Sequence, residues 1–146
     1  MKLALSALLM LCGGLVYIAF RSESLRMFTW FEYLGLDSVT YASRFWATHF
    51  RDYIPDVMIY SLPNALWYLS GMLVFSQIWK NQNEKWLWIG VVTAIAFGLE
   101  FGQAVGFVNG TFGFPDVIFM IGSIVAFFAL EALLRERKHH EEPESI

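Results

Sequence analysis

Apolar residues are concentrated in four long runs of the chain, at residues 3–20, 54–79, 86–108 and 116–134. A transmembrane helix needs about 20 predominantly apolar residues, and each run is close to that length. The polar turn at 80–85 is short, so the second and third runs are antiparallel neighbours. The pattern predicts an all-α membrane protein with four transmembrane helices in one integral membrane domain, 1–146.

The segment between the first two runs has an amphipathic pattern instead. Its apolar residues recur at helical spacing, at Met27, Phe28, Trp30, Phe31 and Leu34 and then at Val39, Ala42, Trp46, His49, Phe50 and Tyr53. Helices that are rich in Trp and Phe but too polar to span a bilayer tend to lie in the plane of the headgroups. We expect 27–53 to be an interfacial segment that lies on the membrane or covers a cavity mouth. At the other end of the chain, we expect the charged residues 135–146 to form a frayed tail.

The first run also has features of a signal peptide, because Lys2 precedes a short apolar core. However, no small-x-small cleavage site follows the run, and Arg21 comes directly after it. The residue before Cys12 is Leu11, which is too large for a lipoprotein signal. We therefore predict that the run is retained as a membrane helix.

Composition agrees with the membrane prediction and narrows the chemistry. The chain is 57% hydrophobic and 16% charged, with a mean hydropathy of +0.50, whereas about 25% of a typical soluble domain is charged. The net charge of −3 argues against a nucleic-acid partner. One cysteine excludes an internal disulfide and a cysteine-rich metal site, and the three histidines are too scattered to form a site. We predict neither a metal nor a cofactor.

Basic residues indicate the orientation, because Lys and Arg are enriched in cytoplasmic loops. With the N-terminus inside, the cytoplasmic side receives Lys2, Lys80, Lys85, Arg135, Arg137 and Lys138. The outer side receives Arg21, Arg26, Arg44 and Arg51. This distribution predicts four spans with both termini in the cytoplasm (N-in, C-in).

Polar residues converge at one level of the predicted bundle. Glu100 lies ~20 Å from the start of the third span at 1.5 Å per residue, with Gln103 one turn further on, while Asp56 and Asp116 open the second and fourth spans. Topology alone therefore places three carboxylates and a carboxamide in the outer half of the bilayer. Because an ionisable residue within a membrane is costly, Glu100 is a candidate functional residue.

The spacing along each span indicates which residues face that level. In the second span, one stripe is formed by Asp56, Tyr60, Asn64, Trp67 and Gly71. In the third span, the matching stripe is formed by Thr93, Ala96, Glu100, Gln103 and Phe107. Arg51 is close enough in sequence to pair with Asp56 or with a phosphate. These stripes predict one polar pocket between the two spans.

Each of these features also has a structural interpretation. An Asp that follows a Pro at a helix start, as Asp56 and Asp116 do, can cap free N–H groups, and Asn64 and Gln103 can hydrogen-bond across helices. Gly98, Gly102 and Gly106 form a doubled GxxxG pattern on the opposite face of the third span, which allows close internal packing or association with a second copy or a partner.

The Glu-x-x-Gln pair, the Gly-Thr-Phe turn and the Asp of the fourth run together resemble the VanZ-like family of small bacterial membrane proteins. The matching residues are Glu100, Gln103, Thr111, Phe112 and Asp116. The chain departs from the motif at Gly110, Gly113 and Met120, where the family usually has Arg, Asp and Asn. The resemblance implies a protein of the bacterial inner (cytoplasmic) membrane that acts in the cell envelope.

We therefore expect a pocket that binds or processes a lipid or a lipid-linked envelope precursor. Glu100 and Asp116 are the candidate catalytic residues, and the candidate ligand-binding residues are Asp56, Tyr60, Asn64, Trp67, Gln103 and Arg51. The alternative is a structural subunit that assembles with a membrane protein partner through its glycines and polar cluster. A proton or solute path is less well supported, because the polar path towards the cytoplasm is incomplete.

Overall fold

A computed structural model describes residues 2–22, 26–79 and 81–141, with the side chains of 26 and 135–141 left out. Within these ranges the fold is all-helical, as predicted. The helices are α1 (Lys2–Phe20), α2 (Arg26–Tyr33), α3 (Asp37–Phe50), α4 (Asp56–Ile78), α5 (Gln82–Ala104) and α6 (Phe114–Glu141), with a 3-10 turn at Arg51–Tyr53. Four of them are long and apolar enough to cross a membrane: α1, α4, α5 and the part of α6 from Phe114 to Leu134.

Helix α4 lies at the centre of the bundle and packs against α1, α5 and α6. The buried core is formed by Tyr68, Leu69, Met72, Leu73, Ile89, Met120 and Phe127. Serine hydroxyls connect the helices at close range: Ser70 Oγ donates to the Ser6 carbonyl at 2.9 Å, and Ser123 Oγ donates to the Ala65 carbonyl at 3.0 Å. Half of the apolar stretch of α4 is buried, against about a tenth of the stretches in α1 and α5, so the outer helices keep broad apolar faces exposed.

The antiparallel order gives the bundle two distinct ends. At the Glu100 end, α1 and α5 finish and α4 and α6 begin; at the Lys2 end, α1 and α5 begin and α4 finishes. Helix α5 starts at Gln82 rather than at 86, because the Asn81 side chain caps it by accepting a hydrogen bond from the Asn83 N–H at 3.0 Å.

Helix α5 also ends four residues earlier than the predicted span, at Ala104. The Phe107 N–H bonds to the Gly102 carbonyl at 2.8 Å and the Gly106 N–H to the Gln103 carbonyl at 3.1 Å, which is the Schellman pattern of a helix C-terminus. Gly106 has a φ of +74°, in the left-handed region that glycine adopts without strain. Phe107 consequently leaves the predicted stripe and is 88% exposed.

The segment between α1 and α4 folds as the two helices α2 and α3, joined at Gly35, which has a φ of +69°. Helix α3 packs against α1. Large apolar side chains stay exposed along both helices, including Trp30, Tyr33, Tyr41, Phe45 and Trp46. Helix α6 continues beyond the predicted fourth span to Glu141, so it includes the first part of the predicted tail; residues 142–146 lie outside the described ranges.

Candidate functional site

Glu100 lies in the last turn but one of α5 and is 7% exposed. Its Oε2 atom is buried and has no hydrogen-bond partner among the described residues. The backbone of Gly113, in the loop before α6, interacts with the carboxylate. A buried carboxylate oxygen without a hydrogen-bond donor lowers the stability of the fold. Packing alone therefore does not account for a glutamate at this position.

The loop from 105 to 113 folds back over the end of α5, and three glycines make this possible. A Cβ atom on Gly102 would lie 2.6 Å from Val108 Cγ2, and one on Gly110 would lie 2.6 Å from the Gln103 amide carbon. The Gln103 amide therefore rests directly on the Gly110 backbone. No larger residue fits at Gly110 without displacing Gln103, which is a physical reason for glycine at this position.

The third glycine, Gly113, lies next to both Glu100 and Asp116. Its N–H donates to the Gly113 carbonyl at 2.9 Å, and its carboxylate occupies the space that a Cβ on Gly113 would need. The two carboxylates are close enough for their charges to repel each other. Asp116 Oδ1 is also buried without a hydrogen-bond partner in the described part of the chain. Gly113 thus brings two incompletely satisfied acids together.

Glu100 and Gln103 line a cavity of about 360 Å³ between α4 and α5. Its other lining residues are Asn64, Trp67, Tyr68, Val92, Ile95, Ala96, Leu99 and Met120. Ile95 and Leu99 are themselves about half exposed on the outside of the bundle, so the cavity has an apolar side that reaches the surface of α5. Polar groups at one end and apolar walls along the rest are typical of sites for small amphiphilic molecules.

The predicted stripe of α4 is divided between two places, and this corrects the prediction of one pocket. Asn64 and Trp67 line the cavity. Asp56 instead pairs with Arg51, and its side chain is 70% exposed. Tyr60 lies against Arg21, whose guanidinium carbon is 5.0 Å from the Tyr60 ring centre. Asp56 and Tyr60 lie in the first turns of α4, nearer the 3-10 turn than Asn64 and Trp67, and they contact Arg51 and Arg21 instead of the cavity.

The predicted glycine ridge is also not continuous. Gly106 lies beyond the end of α5, and Gly102 contacts the loop rather than another helix. A Cβ on Gly98 would meet nothing within 4 Å in the described structure. The prediction that helices pack internally through all three glycines is therefore wrong. Gly98 lies on an open face of α5.

Five residues of the cavity lining were not predicted from the sequence, namely Tyr68, Val92, Ile95, Leu99 and Met120. Tyr68 lies one position beyond the predicted stripe, and its hydroxyl hydrogen-bonds to Thr93 Oγ1 at 2.7 Å. Met120 lies one turn after Asp116 on α6 and is 3% exposed. The i, i+4 spacing from Asp116 was the available signal for Met120.

A cluster of buried charges at the Lys2 end was also not predicted from the sequence. Glu131 of α6 forms ion pairs with Lys2 of α1 and with Lys85 of α5, the latter at 3.1 Å. Glu131 and Lys85 are 6% and 5% exposed. All three residues lie near the same end of their spans, so topology could have placed them at one level. The cluster ties three helices together far from the cavity.

Comparison of the chain with protein-family models, with curated proteins and with solved structures finds no match. The resemblance to the VanZ-like family therefore stays a prediction. The geometry of the cavity is the basis for the functional argument that follows.

The arrangement offers acceptors and a proton-transfer group rather than a metal centre. Among the described residues, no group of three or more His, Cys, Asp or Glu side chains could hold a metal ion. Glu100 is the one acid in the cavity lining, with Asp116 beside it at Gly113. A carboxyl group in this position can accept a hydrogen bond from a ligand or exchange a proton with it.

Proposed function

We propose that the protein is an integral membrane protein of the bacterial inner membrane whose cavity binds a lipid or a lipid-linked envelope precursor. The observation that carries the proposal is the cavity of about 360 Å³ with Glu100 and Gln103 at one end and apolar walls. In the N-in, C-in orientation the polar end lies towards the outer leaflet. An acyl chain could then run along Ile95 and Leu99 while the headgroup meets Glu100.

The surface of the molecule supports a membrane location. The exposed faces of α1 and α5 are apolar, with Leu8, Leu11, Leu87 and Ile95 among their exposed side chains. Aromatic side chains are exposed along α2 and α3, as in helices that lie in the membrane interface. These two helices join the bundle at the Glu100 end, so they would lie near the level of the cavity's polar groups.

If the bound molecule is processed, the structure favours Glu100 as the group that moves a proton. Glu100 lines the cavity, whereas Asp116 is not among the lining residues and lies against Gly113. Asp116 is then a positioning residue that fixes the charge next to Glu100. Asn64, Trp67 and Gln103 remain candidates for contact with the ligand, while Asp56, Tyr60 and Arg51 lie outside the cavity.

The proposal is tested by filling the cavity. Ala96 lines it and Ala94, on the same helix, is exposed and does not. We expect Ala96→Leu to lose the lipid that copurifies with the wild-type protein, and Ala94→Leu to keep it, as measured by mass spectrometry of extracted lipids. Equal lipid content in both variants and the wild type would contradict a lipid-binding cavity.

A structural or accessory subunit is the second candidate function, and the open face of α5 favours it. Gly90 and Gly98 have nothing within 4 Å of an added Cβ in the described chain, so a partner helix or a second copy could approach closely there. In that case Gly98→Leu should release a partner from the complex while lipid retention stays at the wild-type level. Chemical cross-linking in native membranes distinguishes the two results.

A further inference from the structure

We propose that the molecule bound in this cavity carries an ammonium group, which lies against the Glu100 carboxylate. The inference rests on the proposed function and names its ligand class. An amine-bearing phospholipid or an amine-bearing lipid-linked sugar would belong to this class. The chemistry they share is a cationic hydrogen-bond donor at the head of an apolar chain.

The first argument is that two carboxylate oxygens near the polar end of the cavity have no hydrogen-bond donor among the described residues. Glu100 is more than nine-tenths buried, lines the cavity and has an Oε2 atom without a hydrogen-bond partner among the described residues. Asp116 Oδ1, close to it, is in the same condition. Leaving a charged acceptor buried and unpaired costs more than leaving a neutral one. A ligand that donates hydrogen bonds at this point removes that cost.

The second argument is electrostatic. Two carboxylates lie close together at Gly113, and no Lys or Arg is among the residues that line the cavity. Nearby basic residues have other contacts: Arg51 is paired with Asp56, and Arg21 lies between the Tyr17 and Tyr60 rings. At low dielectric, uncompensated negative charge strongly favours a cation over a neutral or anionic group.

The third argument concerns the kind of cation. Trp67 and Tyr68 line the same cavity, and aromatic rings beside a carboxylate form the usual environment for ammonium groups. A metal ion would need a larger set of oxygen ligands, as hard cations take six or more. The combination of aromatic rings, apolar walls and one accessible carboxylate suits an organic cation with a hydrocarbon chain.

The test uses the delipidated full-length protein in detergent with three probes of identical acyl chains. These are dioleoyl phosphatidylethanolamine, dioleoyl phosphatidylcholine and dioleoyl phosphatidylglycerol, added in equal amounts and counted by native mass spectrometry. We expect phosphatidylethanolamine, whose ammonium group has N–H donors, to be retained at least about tenfold over phosphatidylglycerol. Phosphatidylcholine, which has the positive charge but no N–H donor, should be retained to an intermediate extent. Glu100→Gln should abolish this preference, and Glu32→Gln, which removes an exposed carboxylate from α2, should leave it intact.

The outcomes separate this inference from the proposed function. If all three lipids bind equally and Ala96→Leu loses all of them, the lipid cavity stands and the ammonium inference fails. If Ala96→Leu retains lipid as the wild type does, the proposed function itself fails. The selectivity of the wild-type protein decides the ammonium question even where Glu100→Gln does not fold, and Asp116→Asn is the second variant that should reduce the preference.

Discussion

At the scale of single residues, Glu100 is a buried acid whose hydrogen bonding is incomplete. Its buried Oε2 atom has no partner in the described chain, and the neighbouring Asp116 carboxylate repels it. Residues that serve a site are often retained in this way at the expense of stability. The same residue in a purely structural role would have its acceptors satisfied by the neighbouring helices.

We therefore expect Glu100→Gln to leave the free energy of unfolding unchanged or to raise it by about 1 to 2 kcal/mol. Glutamine has the same shape, keeps contact with the Gly113 backbone and removes the charge that repels Asp116. Thermal unfolding of the purified variant and the wild type in one detergent measures this. A clear loss of stability, with lipid content unaltered, would show that the residue holds helices together.

Gly113 determines how the two carboxylates are placed. Its substitution should therefore weaken ligand binding more than it lowers stability. A methyl group in Gly113→Ala takes the space of the Asp116 carboxylate and forces it away from Glu100. We expect lipid retention to weaken about tenfold, equivalent to about 1.4 kcal/mol, with little change in melting temperature. Gly98→Ala is the control, since its methyl group meets nothing within 4 Å of the described structure.

At the scale of elements, α1 approaches α4 closely because Gly13 has no side chain. A Cβ there would lie 2.7 Å from Trp67 Nε1 and 3.2 Å from the Pro63 carbonyl oxygen. The Trp67 Nε1–H donates to the Met10 carbonyl at 3.2 Å, and the Trp67 ring packs against Tyr17 with centroids 5.2 Å apart. One tryptophan thus connects the α1 contact to the wall of the cavity.

This contact gives a matched pair of variants in adjacent positions. Gly13→Ala should destabilise the protein by about 1 to 3 kcal/mol, the usual cost of overpacking. Gly14→Ala, whose methyl group meets no neighbour within 4 Å in the described chain, should be neutral or stabilise the helix by up to about 1 kcal/mol. Equal stability of the two variants, measured by thermal unfolding in detergent, would mean that α1 does not pack on Trp67 as described.

The helices were predictable from the sequence, but some of their ends were not. Apolar runs of 18 to 26 residues leave few alternatives to long helices. The end of α5 at Ala104 depends on Gly106 adopting positive φ, and glycine allows that conformation without requiring it. The apolar run predicted a span that continues to residue 108, whereas the Schellman turn ends the helix at Ala104.

The level of the site along the bundle was predictable from the sequence, but the set of α4 residues that line it was not. Antiparallel spans place Glu100, Gln103 and Asp116 at one end of the bundle whatever the packing. How far the cavity extends along α4 depends on the loop and turn around the helix start, and helical spacing within α4 contains no information about them. Asn64 and Trp67 line the cavity, whereas Asp56 and Tyr60, earlier on the same stripe, contact Arg51 and Arg21 instead.

At the scale of the whole molecule, Glu131 holds three helices through Lys2 and Lys85. Removing one partner of a buried ion pair leaves an uncompensated charge and typically costs about 3 to 5 kcal/mol. We expect a loss of this size in Glu131→Gln, measured as the free energy of unfolding in detergent. Glu32→Gln should change it by less than about 0.5 kcal/mol, because Glu32 is exposed.

A second readout keeps this prediction separate from the cavity. The ion pairs lie at the Lys2 end and the cavity near the Glu100 end, so a folded fraction of Glu131→Gln should select headgroups as the wild type does. If Glu131→Gln lost headgroup selectivity while its stability stayed unchanged, the ion pairs would not be independent of the cavity as described.

The Lys2–Glu131 pair has a consequence for the order in which the protein is made. Its two residues are 129 positions apart, and a ribosome adding about 5 to 20 residues per second needs roughly 6 to 26 s to bridge that interval. Throughout this time Lys2, and Lys85 once α5 has been made, lack the acid that pairs with them in the folded protein. Nascent chains that stop before Glu131 carry two unpaired ammonium groups near one end of an incomplete bundle. Helix α6 carries the residue that neutralises them, so the bundle gains this counter-ion only once α6 has been made.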